Sequence, residues 1–221
     1  MTDVICHYED EYLLVLEKPS GLLCVPGRGP DKQDCLSARA LQRWPDALVV
    51  HRLDQPTSGL VLMARNIEVQ RQLSQAFAER QIHKRYIAVV APQLQPRPEL
   101  ADADGWQRID LPIAADWERR PLRVINHETG KSSQTLWKLL AQENTAQGLP
   151  CSRVLLSPLT GRTHQLRLHM AAIGHAMLGD ALYADEALAA SAPRLLLHAA
   201  ALSFVHPVSK ALLQFEIAPD F

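Results

Sequence analysis

The segment of this chain with the greatest chemical potential begins at His51 and reads HRLDQPTSGL, directly after the apolar run Leu48-Val49-Val50. A carboxylate held in a stiff loop at the end of a strand can act as a nucleophile or as a general base, which makes Asp54 the first candidate. Arg52 and Asp54 share one side of the backbone if the strand continues through them. The same R-x-D spacing also suits an ordinary loop ion pair, so residue types alone leave both readings open. A second candidate stretch, LTGRTHQLRLHM, runs from Leu159 to Met170. Thr160-Gly161 reads as a turn before a helix, with Arg162 at the turn and Arg167 in the first turns. A helix N-terminus carries partial positive charge and suits arginine poorly. Two arginines there point to an anionic partner, a carboxylate or a phosphate. Surface arginines on a helix are the plainer alternative.

Other chemistries are poorly supplied. His164, His169 and His175 are five and six residues apart. Five residues on a helix turn through ~140°, so these rings do not share a face. No H-E-x-x-H is present, and no metal site is expected. No G-x-S-x-G elbow supports a serine hydrolase. A sugar hydrolase needs a second carboxylate near Asp54, and no comparable loop supplies one. The four cysteines Cys6, Cys24, Cys35 and Cys151 are scattered, with no C-x-x-C pair. They read as free thiols in a reducing compartment.

These candidates need elements to hold them. Residues 4–8 and 12–16 read as a hairpin, and Lys18-Pro19-Ser20-Gly21 and Pro26-Gly27 as loops. A helix is expected over Leu36–Arg43, stopped by Pro45, then strands at 48–50 and 59–64 around the Asp54 loop. Asn66 suits the cap of a helix with Val69, Leu73, Ala76 and Phe77 at helical spacing. Tyr86–Ala91 reads as a strand, ended by the proline-rich run APQLQPRP. Residues 92–132 have little periodicity and read as a long excursion from the core. Strand signals resume at 134–140 and 154–156. Thr163 suits the cap of a helix with Leu166, Met170 and Ile173 on one face, ended by Gly174. The tail from Leu195 to Ile217 alternates as a hairpin around His206-Pro207. The fold class is α+β, a mainly antiparallel mixed sheet with flanking helices and long loops. One catalytic domain over 1–221 is expected, with room for two lobes around a central cleft, and without a separate N-terminal S4-type RNA-binding domain.

Bulk properties exclude some classes. Of the 221 residues, 47% are hydrophobic, enough for a sizeable core, which argues against a disordered chain. The N-terminal sequence lacks a basic region followed by an apolar one, so no secretory signal is read. No run approaches the ~18 apolar residues of a membrane span. The expected setting is the cytoplasm. The net charge of −1 argues at first against a nucleic-acid partner. Charge placement matters more than the total. Residues 1–17 carry five acids and no Lys or Arg, whereas 65–85, 117–138 and 151–169 are each net +3. The middle of the chain could present a basic face, although each segment alone suits a solvated surface.

Taken together, these stretches resemble the RluA-type RNA pseudouridine synthases. HRLDQPTSGL resembles the family's H-R-L-D loop, which contains its catalytic aspartate. LVLEKPSGLLCVPG resembles the first strand and K-P-x-G loop. HKRYIAVV, from His83, resembles the motif with the active-site tyrosine. LTGRTHQLRLHM resembles the arginine motif, and HAMLGDALYA and LLLHAAALSFVHP the closing segments. The resemblance spans nearly the whole chain in order, and the expected lack of an extra N-terminal RNA-binding domain makes the chain look like the short bacterial members that act on both ribosomal and transfer RNA.

The resemblance implies a pseudouridine synthase fold and a catalytic set of Asp54, Tyr86 and Arg167. Arg167 would form an ion pair with Asp54, and Tyr86 would pack on the uracil and take the C5 proton. Arg52 would enter the stack where the target base has flipped out, with Arg162 and His51 completing the RNA-binding set. The excursion around Trp106–Arg123 would grip the RNA loop. Gln55-Pro56 departs from many relatives, and Pro56 should stiffen the loop. The expected partner is a stem-loop of ribosomal or transfer RNA, bound by a monomer without cofactor, metal or membrane. The rival reading is an RNA-binding module without activity, which would have no reason to keep Asp54, Tyr86 and Arg167 together.

Overall fold

The computed structural model describes residues 4–95 and 97–221. Asp3, in the acidic N-terminal stretch, and Pro96, in the proline-rich run, lie outside the described residues. In chain order, strand β1 (Ile5–Glu9) pairs antiparallel with β2 (Leu13–Lys18). Helix α1 (Leu36–Arg43) takes the bounds expected from sequence, and the Cys35 thiol caps it by accepting from the Ala38 N–H. Strand β3 (Leu48–Val49) and β4 (Ser58–Ala64) flank the Asp54 loop. Helix α2 (Ile67–Ala78) is capped by Asn66, whose Oδ1 accepts from the Val69 N–H at 2.9 Å.

The chain continues through β5 (His83–Ala91), β6 (Gln107–Asp110), β7 (Ile113–Ala115) and β8 (Arg123–Ile125). Then come β9 (Gln134–Asn144), β10 (Pro150–Pro158), α3 (Gln165–Ala172) and β11 (Ala176–Met177). Helix α4 (Glu186–Ala190) precedes β12 (Leu197–Val205) and β13 (Leu212–Glu216), which form the expected C-terminal hairpin. Among the described residues no helix is long and apolar enough to cross a membrane.

The chain divides into two compact units. The first runs to Lys84 and resumes over His198–Asp220, and the second is Arg85–Leu197 with Phe221. In the first unit β4 lies between β2, antiparallel, and β12, parallel at Gly59↔Ala199. Its run SGLVLMA is buried at every position, as a central strand covered on both faces requires. Helix α2 lays Val69 and Leu73 on Leu13, Val15, Leu60 and Leu62. Burying each such side chain contributes roughly 1.5–3 kcal/mol.

The second unit is an antiparallel sheet in the order β11-β5-β10-β9-β6. Period-2 alternation sends Ala88 and Val90 to one face, against Leu166 and Met170 of α3. It sends Val89 and Ala91 to the other, against Leu178 and Leu188.

Three local expectations need correction. The strand before Asp54 ends at Val49, so 50–57 is loop and Arg52 and Asp54 do not share a strand face. Helix α3 is capped by His164, not Thr163. His164 sits in the left-handed region (φ 56°) and makes no side-chain cap bond. The Gln165 side chain reaches back to the preceding turn, accepting from the Arg162 N–H at 3.0 Å. The segment 92–132 is only partly an excursion. Strand β6 pairs with β9 and buries Gln107 and Ile109, while β7 and β8 form a separate two-stranded sheet.

Candidate active site

The loop carrying Asp54 is clamped by the Lys18-Pro19-Ser20-Gly21 turn. Lys18 is fully buried, and its ammonium donates to the carbonyls of Pro19 (2.8 Å), Leu22 (2.7 Å) and Gln55 (2.9 Å). The Gln55 carbonyl also accepts from the Gly21 N–H (3.0 Å), and the Gln55 amide donates back to the Gly21 carbonyl (3.0 Å). Ser20 Oγ donates to the Pro56 carbonyl at 2.7 Å. The residue beside the aspartate is thus fixed from three directions, and the Thr57 N–H closes the turn on the Asp54 carbonyl at 3.1 Å.

Side chains within the loop alternate in use. Leu53 is buried, Arg52 is exposed and Asp54 is half-buried. The loop leaves into β4 through Gly59, at φ 112°, where a Cβ would collide with the Ala199 backbone. Only glycine lets β12 approach that closely.

His51 is turned inward. Its Nε2 accepts from the Leu62 N–H at 2.9 Å, and its ring stacks on Phe77 with centroids 4.5 Å apart. Burial, with the nearby Lys84 charge adding to it, pushes the imidazole down to about 3. The ring is therefore neutral and pins the start of the loop to β4. Burial likewise lowers Lys84, whose ammonium lies 5.6 Å from the Phe77 ring centroid.

Arg167 is held quite differently. It is buried on α3, and its Nε and Nη2 donate in two-pronged fashion to Asp180, at 2.8 and 2.5 Å. Asp180 is fully buried, and its Oδ1 also accepts from the N–H groups of Leu182 (2.9 Å) and Tyr183 (3.3 Å). A buried ion pair is tolerable when the remaining lone pairs are met in this way. Gly179, at φ 74°, makes the turn before Asp180, and the Arg194 carbonyl occupies the place a Cβ would need. The Tyr183 ring lies under the guanidinium, 5.2 Å from centroid to Cζ.

Beneath this, a buried polar network joins α3 to β9. Gln165 Nε2 donates to the Gln134 carbonyl (2.9 Å) and to Thr135 Oγ1 (3.0 Å). His169 Nε2 meets the Leu111 carbonyl at 3.0 Å, which makes it the donor and leaves Nδ1 to accept from Thr135 Oγ1 at 2.9 Å. Burial lowers His169, outweighing the rise from the Leu111 bond.

The remaining candidates fall as follows. Tyr86 lies on β5 opposite Leu156, half-buried against the core that includes Leu166 and Met170. Arg162 is exposed at the turn before α3. His51, Arg52 and Asp54 belong to the first unit, and Tyr86, Arg162 and Arg167 to the second. Sequence reasoning assigned no role to Lys18, Gly179, Asp180 or Tyr183. The signals were visible as the lysine of KPSG and the G-D-x-x-Y run in HAMLGDALYA, but their partners lie far away in sequence.

Comparison with known proteins agrees across the chain. The family profile described as RNA pseudouridylate synthase matches residues 12–172. The Dual-specificity RNA pseudouridine synthase RluA of Escherichia coli (strain K12) is 42% identical over 216 residues, covering 97% of this chain and 92% of the relative. The protein of the same name from Yersinia pestis is 41% identical over 218 residues, covering 99% and 100%. Among solved structures, Human RNA Pseudouridylate Synthase Domain Containing 1 superposes with a TM-score of 0.80 at 28% identity, covering 99% of this chain and 84% of that one. Human RNA Pseudouridylate Synthase Domain Containing 4, at 23% identity and a TM-score of 0.71, shares the fold, covering 98% and 89%.

Proposed function

The chain belongs to the RNA pseudouridylate synthase family and isomerises uridine to pseudouridine in RNA, and from that premise we propose that Asp54 is its essential carboxylate. The observation that carries this reading is the clamp on Gln55 and Pro56. Three hydrogen bonds donated by the 18–21 turn and one returned by the Gln55 amide fix the segment next to a half-buried carboxylate. A catalytic group gains most from such rigidity, because misplacement by an ångström costs rate.

In the reaction the C1′–N1 bond breaks and a C1′–C5 bond forms. A proton leaves C5 and N1 takes one up, so nothing is oxidised or reduced and no cofactor or metal is required. A carboxylate serves whether it attacks the sugar, attacks the base or removes a sugar proton. Arg167 is the cationic partner of the reacting carboxylate, with its guanidinium held in two-pronged fashion by Asp180. Tyr86 lies against the uracil and takes the C5 proton. Arg52, exposed on the same loop, fills the space left by the flipped base. Arg162 meets phosphate, and His51 serves binding indirectly by fixing the loop that bears Arg52. The alternative of an inactive RNA-binding module is disfavoured by 42% identity to enzymes over 97% of the chain.

The relatives' shared description as dual-specificity enzymes supports a like range here. The substrates are a uridine in the anticodon stem-loop of some transfer RNAs and one in a hairpin of large-subunit ribosomal RNA, read by loop shape. The enzyme acts as a monomer in the cytoplasm, since every proposed role is filled from this one chain. Mapping pseudouridines in cells with and without the gene tests this reading. Loss of a modification from both RNA classes is expected, and loss from one class alone contradicts dual specificity.

A further inference from the structure

Between β7 and β8 lies a tip that carries arginine and tryptophan, and at its root one side chain bonds both the hairpin and the start of α3. In the tip Trp117 is 71% exposed, and the Arg120 guanidinium stacks on it at 4.0 Å. Asp116 braces the turn by accepting from the Arg119 N–H (3.1 Å) and Nε (2.8 Å). Such a tip offers a stacking face and positive charge, the chemistry that takes up unpaired bases and phosphates.

At the root of the hairpin, the backbone N–H of Arg123 donates to the Tyr183 hydroxyl at 2.9 Å, across 60 residues of sequence. The same hydroxyl shares a hydrogen bond of 2.8 Å with Nδ1 of His164, the left-handed residue that starts α3. The Tyr183 ring meets the His164 ring edge-on and lies under the Arg167 guanidinium. Its backbone N–H is bonded to Asp180, the partner of Arg167. One residue therefore touches the hairpin, the start of α3, the arginine and the arginine's carboxylate.

We propose that Tyr183 is a positioning residue with two jobs, tying the β7–β8 hairpin that receives RNA to the start of α3 through its hydroxyl and supporting the Arg167 guanidinium with its ring. This rests on the reading of Arg167 given above. Its two parts have separable work. The hydroxyl ties the hairpin to α3, and the ring supports the guanidinium. Removing the hydroxyl frees the hairpin and weakens RNA capture while the arginine keeps its platform. Removing the ring as well lets the guanidinium turn, and the chemical step slows.

The test is steady-state kinetics on an anticodon stem-loop with Tyr183→Phe, Tyr183→Leu and Trp117→Ala. Tyr183→Phe should raise KM about fivefold, as loss of one hydrogen bond implies, with kcat within about twofold. Tyr183→Leu should also lower kcat, on the order of tenfold, through loss of the cation–π platform. Because the hydroxyl acts through the hairpin, the KM effects of Tyr183→Phe and Trp117→Ala should not add in the double variant. A tyrosine that merely fills space would give additive effects and equal kcat in Phe and Leu variants, and either result overturns the proposal. An unchanged KM in Tyr183→Phe overturns it too. So does a Phe variant that fails to fold, since the hydroxyl would then hold the whole unit together and not just tie the hairpin to α3. Arg167→Lys separates this failure from the wider one. A normal rate in Arg167→Lys sinks the reading of Arg167 itself, whereas a dead Arg167→Lys beside a normal Tyr183→Phe sinks only this inference.

Discussion

The two proposed catalytic carriers are built by opposite means. Around Asp54 the loop is fixed through main-chain carbonyls, one buried ammonium and a neutral histidine. Around Arg167 the support is a buried ion pair, a tyrosine face and a glycine turn. The difference follows from the charge each carrier bears. A carboxylate that must react gains from neighbours that fix its backbone without adding a rival negative charge. An arginine that must stay buried needs a permanent counter-charge, because an unpaired buried cation is costly.

The contrast can be broken most severely at Asp180. Asp180→Ala leaves the Arg167 guanidinium without its buried partner. Breaking one side of such a pair costs about 3–5 kcal/mol. The expected result is a markedly lower Tm and activity reduced at least on the order of a hundredfold, measured by thermal melting and by pseudouridine formation. Near-normal stability would mean that the ion pair does not hold α3 in place.

Next in size is Lys18→Met, which keeps the side-chain volume but strips the ammonium from three carbonyls. A buried carbonyl left unsatisfied costs about 1–3 kcal/mol before relaxation, and the Gln55 carbonyl keeps its bond from the Gly21 N–H. Activity should fall more than stability, because the Gln55 carbonyl lies next to Asp54. A variant that loses stability and keeps full kcat would separate the clamp from catalysis.

The smallest effect is a pH dependence. The folded His51 imidazole titrates at about 3, below its ordinary value of 6.5. Between those values the unfolded chain binds the extra proton, so stability is intact above pH 6.5 and declines as the pH falls below it. By pH 5.5 the loss should be roughly 1 kcal/mol, seen as a lower denaturation midpoint. His169, also lowered by burial, acts in the same direction. His51→Phe should flatten part of this slope, and an unchanged slope would show that the ring is not buried in neutral form.

The sequence revealed what is local. Helix α1 falls on the expected residues, and Asn66 caps α2 as its type and position suggested. The strands on either side of Asp54 and the C-terminal hairpin follow from apolar runs and turn residues. What it hid is non-local or conformational. Lys18 and Gln55 are 37 residues apart, and Arg123 and Tyr183 are 60 apart. No periodicity within a window links such pairs. The Thr163 cap failed because His164 adopts the left-handed conformation and Gln165 reaches back to the turn, choices set by packing on Thr135 and Gln134. Strand β6 was hidden because only four residues pair, with Gln107 standing inward where an apolar residue would have signalled the alternation.

The central claim is that Asp54 performs the chemistry, and nucleoside analysis of a uridine-labelled anticodon stem-loop tests it most directly. The native chain should yield pseudouridine, without free uracil, in the presence of excess chelator. Asp54→Asn, nearly the same shape without the charge, should fold, bind the same RNA and return only uridine. Substantial pseudouridine from Asp54→Asn or Asp54→Ala would contradict the account.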